Sequence, residues 1–86
     1  MKINFNNKEI EFKFKFRAEL LFEDKRGYSF IGRSTTDWLW FFYCYYIALT
    51  DDHDLSYDEC EELLDENPRI IFDFITWYSE YWANNM

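Results

Sequence analysis

Glycine, proline, cysteine and histidine are scarce in this chain of 86 residues, which contains two Gly, one Pro, two Cys and one His. So few Gly and Pro residues leave little room for long flexible linkers, which favours a single domain spanning residues 1–86. The two isolated glycines, Gly27 and Gly32, cannot form a Gly-rich phosphate-binding loop. The only histidine, His53, has no Ser or Cys placed as its nucleophile in a known local motif. We therefore predict no catalytic residues.

Metal-ligand motifs are also lacking, since no paired Cys or His ligands occur at the usual spacing. The alternating Asp and Ser side chains at positions 52–58 have some likeness to a calcium loop. However, Tyr57 stands where an EF-hand requires Gly, and Leu63 stands where it requires the bidentate Glu. The acidic residues at 58–66 are interpreted as a solvated helix face rather than as an acid–base pair. We predict no metal, no cofactor and no enzymatic activity.

The two cysteines give no indication of a disulfide. Cys44 lies in an aromatic segment and Cys60 in a short predicted helix, so both are expected to be reduced packing residues. The start, residues 1–4, lacks the apolar segment of a signal peptide. The longest apolar run, Trp38 to Leu49, has twelve residues and is too short to span a bilayer as a helix. We therefore expect a soluble, cytosolic protein that binds no membrane.

Positive charge is nearly absent from the second part of the chain. Residues 51–86 hold one basic and eleven acidic side chains, whereas residues 1–50 hold eight basic and six acidic ones, and the net charge is −8. An acidic surface repels phosphate, which disfavours binding to nucleic acid and to anionic membranes. We interpret the acidic part as a solvated face that keeps an aromatic-rich protein in solution. A surface that imitates nucleic acid is the alternative interpretation.

Apolar residues make up 49% of the chain, which excludes a disordered protein. In residues 2–16 the apolar residues alternate with charged residues. Alternation with a break at Asn6-Asn7 predicts a β-hairpin over residues 2–16 with one buried face. Two strands alone are hardly stable in water, so helices must cover that face. The predicted fold class is α+β: an N-terminal two-stranded β-hairpin packed on about four α-helices.

Four helices are predicted at about residues 17–26, 35–49, 57–65 and 68–83. Local signals mark their bounds: Gly27 as a stop, Ser34–Asp37 and Ser56–Glu59 as capping pairs, and Asn67–Pro68 as a start. The hydrophobic residues between these signals recur at helical spacing, which supports the same division of the chain.

The second helix is apolar on every side, so it must be buried all round or present its spare face to another molecule. Under the first interpretation it is the central helix of the core. Under the second, Trp40, Tyr43 and Ile47 face a partner or a second subunit, and both interpretations can hold along different parts of the helix. In the last helix, Phe72 lies outside the apolar stripe and Trp77 at its margin. These two are secondary candidates for partner contact.

The order of these segments resembles the small tail assembly chaperones of long-tailed bacteriophages. The resemblance rests on four features: the alternating segment 3–12, the helix that closes on residues 25–30, the apolar helix that follows, and the acidic segment 51–67. It covers most of the chain, and it is a likeness of layout with loose local similarity.

The resemblance implies a non-enzymatic assembly factor made in the cytoplasm of the infected bacterium and absent from the finished virion. Such proteins bind the long hydrophobic tape measure protein, keep it from aggregating and help to recruit tail tube subunits. A protein that binds apolar helices needs an adaptable aromatic surface, and an acidic remainder keeps the loaded complex soluble.

Two other functions fit the same sequence. One is a small acidic inhibitor of phage type that occupies the basic groove of a host defence protein and so imitates nucleic acid. The other is an obligate homodimer whose spare aromatic residues pair with themselves. Salt dependence distinguishes the acidic inhibitor from the chaperone. A complex made through Asp51 to Glu66 would weaken steeply as the salt concentration rises, whereas a complex made through apolar contacts would not.

Overall fold

The computed structural model describes residues 1–85 and shows a hairpin followed by four helices. In chain order the elements are β1 (Lys2–Phe5), β2 (Lys8–Glu11), α1 (Phe16–Arg26), α2 (Thr35–Thr50), α3 (Tyr57–Glu66) and α4 (Arg69–Asn85). The predicted α+β class, with an N-terminal two-stranded hairpin and four helices, is confirmed.

The hairpin turns at Asn6 and Asn7, as the alternation predicts. Both asparagines have positive φ, 53° and 61°, which is the backbone conformation of the two-residue turn that matches strand twist. The antiparallel register pairs Ile3 with Ile10 and Phe5 with Lys8. Phe5 and Ile10 are buried, so one face of the hairpin packs on the helices and the other meets solvent.

The second strand ends at Glu11, so the predicted continuation of the hairpin to residue 16 is wrong. Glu11 pairs with Lys2, and Phe12 is hydrogen-bonded to Met1, so the first strand offers no residue opposite positions 13–16. Phe16 instead begins α1, and its side chain is 71% exposed rather than turned inward.

The helix bounds follow the local signals closely. The Gly27 amide donates to the Glu23 carbonyl with φ of +80°, and this ends α1. The Ser34 hydroxyl accepts from the Asp37 amide at 3.1 Å and begins α2. Ser56 and Glu59 form a reciprocal capping box at α3. Helices α2 and α3 each run one residue past their predicted ends, and α4 spans 69–85 instead of 68–83.

Helix α2 lies at the centre of the molecule. Its seven consecutive residues Phe41–Ile47 are all buried, and α1, α3, α4 and β2 contact it. A helix surrounded on every side needs apolar residues on every side, which is the physical reason for the aromatic run. The Phe41 ring, for example, stacks on Phe30 with centroids 3.8 Å apart and meets Tyr78 edge-on at 4.9 Å. Along these seven residues the core interpretation of the helix holds.

Candidate functional site

The structure buries two of the three residues that α2 was expected to present to a partner. Tyr43 is 7% exposed and its hydroxyl donates to the Leu55 carbonyl at 2.6 Å, while Ile47 is 3% exposed. The expectation that these two side chains face outward is therefore wrong. The reason is that the segment 51–57 and helix α3 cover this side of α2.

Trp40 is half-buried and packed between neighbours of this same chain. Its ring stacks on Tyr57 with centroids 4.0 Å apart, and the Arg26 guanidinium lies 5.4 Å from the ring centroid. The Trp40 ring therefore already has both a stacking partner and a cation, which are the contacts that an aromatic ring favours. Trp40 is therefore a structural link between α1, α2 and α3.

The two candidates on α4 differ from one another. Phe72 is 65% exposed, so it is open to a partner. Trp77 is half-buried and meets Phe12 and Tyr45 edge-on, at centroid distances of 5.8 and 5.7 Å. Trp77 therefore contributes to the packing of α4 on the hairpin and on α2. These observations locate both side chains and leave their contact with a partner as a prediction.

A larger apolar surface lies elsewhere, at residues that the sequence did not single out. Phe16, Leu20 and Ile31 are 71%, 64% and 59% exposed. Phe16 and Leu20 are one turn apart on α1, on a side that the buried Ala18 and Phe22 do not occupy. The sequence does contain a signal for Phe16 and Leu20: they form a second apolar pair at i, i+4 spacing on a helix that already has an apolar stripe facing the core.

Of these three residues, Ile31 lines an open groove of about 390 Å³ formed by α1, the α1–α2 connector, the start of α2 and the end of α4. The residues that line it are Glu19, Phe30, Ile31, Gly32, Trp38, Tyr78, Ser79 and Trp82. Four of the eight are aromatic, and Glu19 has the one carboxyl group among them. Phe16 lies one turn before Glu19 on α1, so the exposed α1 face and the groove adjoin.

The groove depends on two local features. Gly32 has φ of +70°, and an added Cβ would lie 3.1 Å from Cζ2 of Trp38, so glycine lets the connector run close to the indole. The Tyr78 hydroxyl donates to Oε1 of Glu19 at 2.5 Å and joins α4 to α1. Burial, and next the Glu19 hydrogen bond, raise the pKa of Tyr78, so this hydroxyl stays protonated and donating at neutral pH.

The acidic part of the chain is largely solvent-exposed, but Asp52 is half-buried. Its carboxylate accepts from the Tyr46 hydroxyl at 2.5 Å and from the Asp54 amide at 2.9 Å, and Lys8 Nζ lies 3.0 Å away. These contacts, the Tyr46 hydrogen bond first, lower the pKa of Asp52. Since Lys8 follows the turn of the hairpin, this cluster fastens the hairpin to the end of α2.

Asp52→Asn should lower the melting temperature at pH 7, and the deficit should shrink in acid. Because the folded-state pKa lies below the unfolded value of about 3.9, the ionised carboxylate stabilises the fold above that pH. This stabilisation is lost progressively as the pH falls from about 4 towards the lowered folded-state pKa, where the carboxyl group of the folded chain also becomes protonated. Thermal unfolding at pH 7, 5, 3 and 2 measures the difference in melting temperature between Asp52→Asn and the parent chain. Asp54→Asn is the control, because the Asp54 side chain is exposed. An equal deficit at pH 7 and pH 2 would contradict the assignment.

The two cysteines are free and buried, as predicted. Burial raises the pKa of both thiols to about 12, so neither is a thiolate at neutral pH. Within residues 1–85 no group of three or more His, Cys, Asp or Glu side chains is arranged to hold a metal ion. No helix in this described part of the chain is long and apolar enough to cross a membrane.

Comparison of the chain with family models, with curated proteins and with solved structures finds no match.

Proposed function

We propose that this protein is a non-enzymatic assembly chaperone that binds an apolar helical segment of another protein. The observation that supports the proposal is an aromatic-lined groove that includes the exposed Ile31, next to the α1 face on which Phe16 and Leu20 are exposed. Exposed apolar surface beside a groove is characteristic of a protein-binding site, and an apolar helix face fits into a groove of this kind.

The partner in this proposal follows from the resemblance to small tail assembly chaperones. It is the hydrophobic tape measure protein of a long-tailed phage, and tail tube subunits are recruited to the complex. The protein then acts in the host bacterial cytoplasm and is absent from the finished virion. The net charge of −8 supports this role, because a strongly charged remainder keeps a complex with an apolar chain in solution.

Co-expression with apolar helical segments of a tape measure protein tests the proposal. We expect a complex that survives gel filtration at both low and high salt, because apolar contact is not screened by ions. The double substitution Phe16→Ser with Leu20→Ser should weaken this complex at least about tenfold. Each apolar side chain contributes about 1.5–3 kcal/mol when fully buried, and 1.4 kcal/mol is a factor of ten.

Phe72→Ser is the matched control, since Phe72 is about as exposed as Phe16 and Leu20 but lies on α4, outside both the exposed α1 face and the lining of the groove. It should leave the affinity unchanged. Failure of every segment to bind would contradict the proposal, and so would equal binding by the double variant and the parent chain. Loss of binding in Phe72→Ser alone would instead move the contact surface to α4, where the sequence analysis placed a candidate.

The acidic inhibitor is a second candidate, favoured by one observation. Helix α3 and the segment before it present a row of exposed carboxylates to solvent: Asp51, Asp54, Asp58, Glu59, Glu62, Asp65 and Glu66. Such a row is complementary to a basic, nucleic-acid-binding groove. Capture of a basic host protein at low salt and its loss at high salt would support this candidate over the chaperone.

A further inference from the structure

The groove combines aromatic walls with a single carboxylate. Trp38 of α2 and Trp82 of α4 both border Tyr78, with ring centroids 6.1 Å from it in each case and interplanar angles of 80° and 71°. Phe30 of the connector packs edge-on against Trp38 at 4.8 Å. The aromatic lining therefore comes from three different parts of the chain, and Glu19 projects into it from a fourth.

The Glu19 carboxylate forms no ion pair within residues 1–85. Its Oε1 accepts a hydrogen bond from the Tyr78 hydroxyl. Arg33, which follows Gly32 in the connector, is exposed and forms no ion pair with an acidic side chain of residues 1–85. The half-buried Glu19 thus keeps a second oxygen, Oε2, that can accept from a donor placed in the groove.

The tryptophans of the groove also lack a cation, unlike other aromatic rings of this protein. Lys8, Lys25 and Arg26 lie over the rings of Tyr46, Tyr43 and Trp40 at 5.4–5.8 Å. No such pair involves Trp38 or Trp82 in the part of the chain that the structure describes. The indole is the ring that attracts cations most strongly, and the attraction grows where water is displaced.

From this arrangement we infer that the groove binds the cationic side chain of an otherwise apolar partner helix, a Lys or Arg whose head pairs with Glu19 while its methylene stem lies against Trp38 and Trp82. A long cationic side chain suits such a site because its stem is apolar and its head is charged. A carboxylate at this position would be repelled by Glu19, and a neutral side chain would leave its Oε2 without a charged donor.

This inference rests on the proposed function and makes it more specific. An apolar helix that fits the exposed surface of Phe16 and Leu20 would bind in any register, because apolar contact is not directional. One Lys or Arg that pairs with Glu19 fixes the register and distinguishes suitable helices from other apolar segments. Glu19 is then a specificity-determining residue of the site.

Small probes test the site without a known partner. Two-dimensional NMR of the four indole N–H groups, titrated with n-butylammonium chloride, should show saturable shifts for Trp38 and Trp82 but none for Trp40 or Trp77. n-Butanol and sodium butyrate, which have the same chain length without the positive charge, are the ligand controls. Glu19→Gln should weaken n-butylammonium binding at least about tenfold, and its amide oxygen still accepts from Tyr78, which preserves the fold.

Glu80→Gln removes the same charge from α4 outside the groove and should leave the n-butylammonium titration unchanged. Equal shifts with n-butanol and n-butylammonium, or equal affinity in Glu19→Gln and the parent chain, would overturn the inference.

A pair of amphipathic helical peptides distinguishes this inference from the proposed function. One peptide has a central Lys and the other has norleucine at the same place. Tighter binding of the Lys peptide, lost in Glu19→Gln, supports both proposals. Equal binding of the two peptides overturns the cationic site and leaves the apolar chaperone standing. If neither peptide binds and n-butylammonium still shifts Trp38 and Trp82, the chaperone fails and the cationic site stands.

Discussion

Replacing Phe41 with alanine should lower the free energy of unfolding by about 3–5 kcal/mol. The Phe41 side chain is completely buried at the point where α1, α2 and α4 meet. It stacks on Phe30, meets Phe22 edge-on at 5.8 Å and lies 5.9 Å from Phe74. Alanine would leave a cavity among rings that are fixed by each other, so the site cannot collapse to fill it.

The loss is large relative to the whole stability of the chain. A domain of this length has a free energy of unfolding of about 4–13 kcal/mol, so Phe41→Ala should remove about a quarter of it or more. Urea unfolding followed by circular dichroism measures the change. Phe72→Ala removes the same atoms from an exposed position and should change the free energy by less than about 0.5 kcal/mol. Equal losses in the two variants would contradict the burial of Phe41.

Much of the fold could be predicted because its determinants are local in sequence. Alternation and the Asn6-Asn7 pair specify a hairpin, since side-chain period and turn conformation involve only neighbouring residues. The caps at Ser34 and Ser56 depend on contacts three residues apart. The error at residues 13–16 arose because strand length depends on a partner strand, and the alternating pattern continues beyond the last available partner.

The candidate site could not be predicted in the same way, because its residues come together only in the folded chain. Glu19 and Tyr78 are 59 residues apart in sequence, yet their side chains are hydrogen-bonded. In the sequence of α2 alone, Tyr43 and Ile47 look like surplus apolar surface. In the folded chain α3 and the segment before it pack on this side of α2, and both residues are buried. Whether a residue is buried depends on the elements that pack against it. For a helix that is apolar on every side, the sequence does not indicate which sides these elements cover.

Asp37 is the one charged residue in the interior of the described chain, and it provides the second large effect. Its Oδ1 accepts from the Tyr28 hydroxyl at 2.6 Å, and Nη2 of Arg26 lies 3.9 Å from the same oxygen. Nη2 also donates to the Tyr28 hydroxyl at 3.3 Å. Asp37 therefore connects the end of α1 to the start of α2, and its negative charge lies at the favourable end of the α2 dipole.

Asp37→Ala should lower the free energy of unfolding by about 1.5–3 kcal/mol, the range for a hydrogen bond to a charged group in a buried setting. The Tyr28 hydroxyl loses its acceptor and Arg26 loses its counter-charge, so the substitution costs more than one contact.

Asp73→Ala is the matched control, because Asp73 lies 3.7 Å from Arg69 in a pair that is exposed on α4. The two ion pairs have nearly the same length but differ in burial, so the exposed one should contribute less than about 0.5 kcal/mol. Urea unfolding of both variants compares them directly. If Asp37→Ala and Asp73→Ala cost the same, burial does not strengthen the Asp37 contacts, and the connection between α1 and α2 must depend on the packing of Phe22, Phe30 and Phe41 alone.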